Sequence, residues 1–369
     1  MRPEDLSICI ITKNECEKLR HCLSCLSGHG FELVVVDTGS SDGTTEMAQE
    51  YTNSIYHFEW INDFAKAKNY AVSMAKNDIV MVVDSDEYLI TEDISSFLIV
   101  CEQNTNNVGY ITRVEHFKNE SELSETGIVT TERVFDRRKY HFAGCIHEQL
   151  AEGGVFDSNR DDSRNALVPK QNKHSYNTSL TFDHDGYNGT DDDRKSKANR
   201  NLILLTKELE THPNDSYILY QAGKSCFVLG QIDKAVDYYE QALSQTPNPD
   251  LEWVRDMIIC YGYSLIAGQY YKKALSLETE YIYYSQHSDY MFLMGLVHMN
   301  NSAFEQAIDD FLKCTSLEED KAKGSNSYKA YYNAGVLEEL LGNIDSAKMH
   351  YSLAGDYDPA KKRLSTLQS

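Results

Sequence analysis

Apolar runs and amphipathic stretches alternate over residues 7 to about 115. The segments SICIIT (7–12), ELVVVD (32–37) and DIVMVV (78–83) are apolar almost throughout, and polar residues follow each of them. Strands with that pattern are buried on both faces, which predicts a parallel α/β sheet. Between them, ECEKLRHCLSCLSG (15–28) has helical periodicity and stops at Gly28. SSDGTTEMAQEYT (40–52) opens on Ser and Asp cap signals, and DFAKAKNYAVSMAKN (63–77) reads as a third helix. Residues 108 to 187 turn β-rich and irregular, with strand-like GYITRVEHF, ERVFDRR and SLTFDHDGY. A polar loop, GGVFDSNRDDSRN (153–165), interrupts them.

From about residue 194 the pattern is helical and repeats itself. Glycines at 223, 262, 295 and 335 are spaced by 39, 33 and 40 residues, and alanines at 235, 274, 307 and 347 keep the same spacings. Small residues at matched positions let paired helices cross closely, and self-similarity near this period marks a helical repeat. The units resemble tetratricopeptide repeats, two of whose spacings here exceed the usual length. Stacked pairs of this kind build a concave surface, predicted to bind a peptide or to form a dimer contact. Most of the tyrosines in this half are expected to be packing residues.

The three buried strands all end in polar residues: Thr12-Lys13-Asn14-Glu15, Asp37-Thr38-Gly39-Ser40 and Asp84-Ser85-Asp86-Glu87. In a parallel sheet ligands bind beyond the carboxyl ends of the strands, so these residues should share one rim. The pair Asp84 and Asp86 brings two carboxylates to the end of a buried strand. A hard divalent ion takes such oxygen ligands and can bridge phosphate oxygens. A phosphatase of the haloacid-dehalogenase type also places D-x-D at a strand end, but it has Thr or Val where this chain has Tyr88.

Charge sharpens the picture. The chain has 369 residues and a formal charge of −22 (35 basic, 57 acidic), with no concentrated basic patch. That excludes an ordinary nucleic-acid binder, and an anionic substrate would need local cations or a metal. No apolar run is long enough to span a bilayer, and the nine scattered cysteines suit reduced thiols in a cytoplasmic setting. Cys22-x-x-Cys25 has no second pair nearby and is expected to be idle.

The ordered set ICIITKNE, VVVDTGSSDGT and NDFAKAKNYAVSMAKNDIVMVVDSDEYL resembles the family 2 glycosyltransferases of the GT-A fold over roughly residues 5 to 100. FAGCIHEQL (142–150) and TFDHDGY (181–187) resemble segments of a subgroup that couples this domain to tetratricopeptide repeats and includes bacterial peptide S-glycosyltransferases. The resemblance implies a GT-A (Rossmann-like) α/β domain over 1–190, a linker helix over 191–215 and an all-α repeat domain over 216–369. It also implies inverting transfer from a nucleoside diphosphate sugar, typically UDP-linked, with Mg²⁺ or Mn²⁺, to a peptide or protein acceptor.

Carried over by position, Thr12 and Glu15 lie where the first strand meets the nucleotide, and Asp37 accepts hydrogen bonds from the base. Ser40 and Asp42 are read instead as helix caps. Lys68 stands where the family usually has Arg, and Asn69 follows it. Asp84 and Ser85 contact ribose or metal, Asp86 ligates the metal, and His184 completes its shell. Glu148 is the expected general base, since inversion needs a carboxylate to take the acceptor proton. His147 would orient it or bind diphosphate. Asp136 and Asp185 are alternative bases, and Glu148 could instead form a structural ion pair with an arginine such as Arg133. Other readings are a transferase of lipid-linked or cell-surface glycans and a non-catalytic repeat adaptor.

Overall fold

The computed structural model describes residues 1–90, 93–118, 124–159, 174–184 and 190–368. Asp185, Gly186, Tyr187 and the end of the predicted polar loop (160–165) lie outside the described residues. The chain divides into two compact units, Met1–Thr190 and Asp191–Ser369.

The first unit is built on strands β1 (Leu6–Thr12), β2 (Glu32–Asp37), β3 (Ser54–His57), β4 (Ile79–Asp84), β5 (Glu87–Leu89), β6 (Val108–Lys118), β7 (Ser124–Asp136), β8 (Tyr140–Ala143), β9 (Gln149–Glu152) and β10 (Ser175–His184). Its helices are α1 (Cys16–Leu26), α2 (Thr44–Ala48), α3 (Phe64–Met74) and α4 (Ile94–Gln103). Eight strands form one sheet in the order β3-β2-β1-β4-β7-β6-β10-β5, while β8 and β9 pair separately. The first four strands are parallel, as the apolar runs predict. The sheet as a whole is mixed, because β7 joins β4 antiparallel and carries β6 and β10 with it. Apolar cores lie on its two faces, one around Leu19, Leu23 and Phe97, the other around Ala71, Val72 and Phe135.

Local sequence explains most helix ends. Asp63 caps α3 by accepting the Lys66 amide at 2.9 Å. Gly28 follows α1 with φ +88°, a conformation side chains resist. The helix predicted over 40–52 is only the five residues of α2, because Gly43 turns left-handed before it. Asp42 is not its formal cap. Its carboxylate accepts the Thr44 amide at 3.1 Å and the Cys16 amide at 3.2 Å, tying α2 to the start of α1. Ser40 accepts the Asn14 amide through Oγ at 2.8 Å.

The second unit holds α5 (Asp191–Thr211), α6 (Ser216–Val228), α7 (Ile232–Ser244), α8 (Glu252–Ala267), α9 (Tyr271–Ala274), α10 (Ser276–Glu280), α11 (Ser288–Asn300), α12 (Phe304–Cys314), α13 (Tyr328–Leu340), α14 (Ile344–Leu353) and α15 (Asp358–Gln368). Pairs α6/α7, α11/α12 and α13/α14 are regular antiparallel hairpins, and each repeat glycine faces an aromatic ring from the partner helix. A Cβ on Gly223, Gly295 or Gly335 would come within 2.6, 2.6 or 2.8 Å of Tyr239, Phe311 or Tyr351. The matched alanines at 235, 274, 307 and 347 are fully buried. The second repeat is irregular: the partner of α8 is broken into α9 and α10, and Gly262 faces Leu277 and Leu293 instead of a ring.

Candidate active site

Register assembles the rim before any side chain is considered. Thr12 pairs with Asp37 and Ile11 with Asp84, so the ends of β1, β2 and β4 lie side by side. Thr12 Oγ1 is buried without a hydrogen-bond partner among the described residues, an orphan hydroxyl at the rim. A buried hydroxyl of that kind has hydrogen-bonding capacity left over for a ligand or a water. Glu15 follows β1 and accepts the Ser85 hydroxyl, joining the first strand's exit to the fourth's. The Asp37 carboxylate accepts the amides of Gly39 (3.0 Å) and Ser40 (3.1 Å) and lies 3.6 Å from His57 Nδ1. Asp37 thereby shapes its own turn.

Lys68 is the hub. It projects from α3, is buried, and places Nζ 3.0 Å from Asp84 Oδ1 and 2.6 Å from Glu148 Oε1. Three separate sequence motifs thus meet at one ammonium. Burial opposes its charge, but Asp84 and then Glu148 outweigh that, and its pKa is raised. The neighbouring Asn69 clamps the backbone of Phe142, donating to its carbonyl and accepting its amide at 2.8 Å each. The Phe64 amide at the head of α3 donates to the Cys145 carbonyl at 2.8 Å. So α3 holds the turn that carries His147 and Glu148 at both ends of its first two turns. His147 has φ +49°, an uncommon conformation for a non-glycine residue and of the kind that clusters at working sites.

The other oxygen of Asp84 binds Arg133 Nη2 at 2.5 Å. Burial would favour the neutral acid, yet Arg133 and then Lys68 hold Asp84 well below the usual carboxylate range. Arg133 reaches this place through a β-bulge. Gly109 pairs with Val134 and Tyr110 with Glu132, leaving Arg133 as the extra residue of β7. Bulges re-aim side chains in this way. The same Nη2 lies 2.8 Å from Glu87, a fully buried carboxylate that also accepts the Asp84 amide at 3.0 Å. Glu87 takes a second guanidinium, Arg113, at 3.1 Å, and Arg113 continues to Glu115 at 3.0 Å. Glu115 meets His184 Nδ1, and His184 Nε2 faces Asp86 Oδ1 at 3.5 Å, with Lys18 3.9 Å from the other Asp86 oxygen. Burial disfavours the His184 cation, but hydrogen bonds to Asp86 and Glu115 prevail and raise its pKa to about 9.

The expected site residues therefore fall into two groups. Lys68, Asp84 and Glu148 are brought together, and so are Asp86 and His184. Asp84 does not join the latter pair as a third donor, because both its oxygens face buried cations. Among the described residues no group of three His, Cys, Asp or Glu side chains is arranged to hold a metal. The pair still fits a divalent ion: one carboxylate and one imidazole face each other, and such ions take further positions from diphosphate and water. The structural partner of Glu148 is Lys68, not Arg133. Asp136 is removed from the rim, since it pairs with Ile79 at the opposite end of β4 and is held by Arg138 at 2.7 Å. None of the nine cysteines forms a disulfide, and burial pushes the Cys22 and Cys25 thiols up, which disfavours a reactive pair.

Glu87 enters the motif reading only as the end of the polar run after β4, and Arg113 and Glu115 are absent from it. Their signal was the charged residues 113 and 115, two apart and so on one face of a strand-like run.

Fold and rim together define a GT-A (Rossmann-like) α/β domain followed by helical repeats. Residues 7–150 match the family Glycosyl transferase family 2, and residues 216–249 and 288–321 each match a Tetratricopeptide repeat family. The chain carries a family 2 glycosyltransferase domain with C-terminal tetratricopeptide repeats. It is 27% identical over 252 residues to a TPR repeat-containing protein of Synechococcus elongatus, covering 67% of this chain and 59% of that one. It is 24% identical over 296 residues to the SPbeta prophage-derived glycosyltransferase SunS of Bacillus subtilis, covering 74% and 62%. The chain thus spans about three fifths of the length of these curated relatives. A solved structure of MamA from Desulfovibrio magneticus RS-1 is similar at 21% identity and a TM-score of 0.38, over 48% of this chain and 90% of that one. No helix among the described residues is long and apolar enough to cross a membrane.

Proposed function

We propose that this protein is an inverting, metal-dependent glycosyltransferase that moves a sugar from a UDP-sugar to a peptide or protein side chain, through a sulfur (cysteine) or oxygen acceptor atom. The observation that carries the reading is the junction at Lys68, where the D-x-D strand end and the G-x-I-H-E turn share one cation. The family 2 match supports glycosyl transfer. The peptide acceptor rests on the resemblance of the two-part architecture to peptide S-glycosyltransferases.

In this reading Thr12, Glu15, Asp37, Asp84 and Ser85 form the nucleotide side of the rim. Lys68 offers positive charge to the diphosphate, in a chain whose overall charge would repel it. Asp86 and His184 would hold Mg²⁺ or Mn²⁺, which when bound would neutralise charge on the leaving diphosphate. Glu148 takes the proton from the acceptor S–H or O–H as the acceptor atom bonds to the anomeric carbon. The sugar–phosphate bond breaks on the opposite face, and UDP leaves with the electron pair. Glu148 is held by Lys68 before substrate arrives. Diphosphate competing for that ammonium would leave the carboxylate more available as a base. His147 orients Glu148 from the strained turn.

The test is UDP release from UDP-glucose and other UDP-sugars with Mn²⁺ or Mg²⁺, then with EDTA. Metal-dependent release that disappears in Asp86→Ala is expected. Neither release nor UDP binding with any metal would overturn the reading and favour a repeat adaptor.

A further inference from the structure

We infer that Glu115 is a positioning residue that makes His184 a competent metal ligand, by fixing which ring nitrogen carries the proton and where the other one points. The inference rests on the reading of Asp86 and His184 as the metal pair.

Sheet register creates the contact. Glu115 and His184 are direct partners across β6 and β10, so their proximity does not depend on any loop. Glu115 is buried, with only 2% of its surface exposed. Its two oxygens serve two donors: Oε1 takes Arg113 Nη2 at 3.0 Å, and Oε2 takes His184 Nδ1. An ionised carboxylate only accepts, so the nitrogen facing it must be the one that carries hydrogen. A bound metal displaces the proton on Nε2, the nitrogen that faces Asp86 at 3.5 Å, while Glu115 keeps the one on Nδ1. Ligating histidines commonly donate their second nitrogen to a carboxylate, which sets tautomer and ring angle. Here that carboxylate is itself immobilised, because Arg113 also binds Glu87 and Glu87 binds Arg133. The ring therefore has little freedom to turn its lone pair away.

Glutamine is the informative replacement. It keeps the shape of Glu115 but offers one acceptor and one donor, so it cannot satisfy Arg113 and His184 Nδ1 together. With Arg113 retaining the amide oxygen, the amide N–H₂ faces Nδ1, which becomes the acceptor. The proton moves to Nε2 and blocks ligation.

The experiment measures Mn²⁺ binding to the full chain in the presence of UDP, by electron paramagnetic resonance, for wild type, Glu115→Gln, His184→Ala and the double variant. Glu115→Gln should lower the melting temperature, since it removes a buried charge paired with Arg113, and in the folded protein should weaken Mn²⁺ by roughly 10- to 100-fold. In the His184→Ala background the same change should have no further effect. Wild-type affinity in Glu115→Gln, or an equal loss with and without His184, would overturn the inference while leaving the metal pair standing. No Mn²⁺ binding by wild type would overturn the metal reading itself and this inference with it. Should Glu115→Gln fail to fold, ¹⁵N-histidine NMR of the wild type with Mg²⁺ and UDP decides. Protonated Nδ1 on His184 supports the role, and protonated Nε2 refutes it.

Discussion

Asp84 and Asp86 stand two residues apart and carry different physical burdens. Asp84 neutralises two buried cations, Lys68 and Arg133. Removing it leaves each with a single carboxylate, Glu148 for Lys68 and Glu87 for Arg133, and breaking a buried ion pair costs about 3–5 kcal/mol. Asp86 faces His184 at 3.5 Å, and His184 keeps Glu115 if Asp86 is lost. Asp86→Ala should therefore cost less than Asp84→Ala, which removes the partner of two buried cations. Urea unfolding followed through Trp60 in a Trp253→Phe background will show whether Asp84→Ala destabilises the first unit far more than Asp86→Ala. Equal losses would mean that the ion-pair assignment is wrong. Loss of activity in Asp84→Ala would accordingly mix chemistry with folding, which is why Asp86 is the cleaner probe of the metal.

In the repeats, His298 donates to Asp310 at 2.6 Å and lies 3.4 Å from Glu278. The Asp310 hydrogen bond, against the opposing effect of burial, raises the His298 pKa. A histidine raised above its unfolded value, near 6.5, adds stability that is complete below that pH and fades as pH climbs through the folded value. The stability gap between wild type and His298→Gln should be wider at pH 6 than at pH 9. A gap independent of pH would refute the charge on His298. The contrast in legibility is also a residue-scale matter. Lys68, Asp84 and Glu148 belong to local motifs and could be read off the chain. Arg133 and Glu115 owe their roles to a bulge and to strand register, and the only local mark is the pair of charges at 113 and 115 on one face of a strand-like run.

At the scale of elements, the repeats were legible because steric demand recurs at fixed spacing. Each glycine of α6, α11 and α13 admits a ring from the next helix, and the buried alanine marks the facing position. Gly295→Ala places a methyl 2.6 Å from the Phe311 ring, inside contact distance. Overpacking of that kind costs about 1–3 kcal/mol. Thermal unfolding should show this loss in the parent chain and a smaller one in a Phe311→Leu background, where the ring is gone. The same loss in both backgrounds would show that the ring is not what excludes the side chain. The sheet was legible only in part. The continuous apolar runs identify β1, β2 and β4, because burial on both faces leaves no alternation to misread. In the second half the strand-like runs fall on β6, β7 and β10, but their arrangement was not legible, since antiparallel addition of β7 depends on long-range pairing. The length of α2 was misjudged because Gly43 has a left-handed φ, which sets where the helix begins.

At the scale of the molecule, each unit closes its own core. Leu19, Leu23, Phe97 and their neighbours pack within the first, and Tyr239, Leu293, Phe311 and theirs within the second. A segment with its own buried core can fold alone. The fragments 1–190 and 191–369 should each unfold cooperatively, and the chain provides one tryptophan reporter for each, Trp60 and Trp253. Because every residue assigned to the donor lies before residue 190, the first fragment should retain metal-dependent UDP binding. On the reading that the repeats hold the acceptor, it should lose transfer to a peptide while donor binding persists, a separation visible as UDP affinity by calorimetry against glycopeptide formation by mass spectrometry. A fragment that binds UDP and modifies peptide as well as the full chain would remove the repeats from acceptor recognition. A fragment that folds but does not bind UDP would count against the assignment of Thr12, Asp37 and Asp84 to the nucleotide.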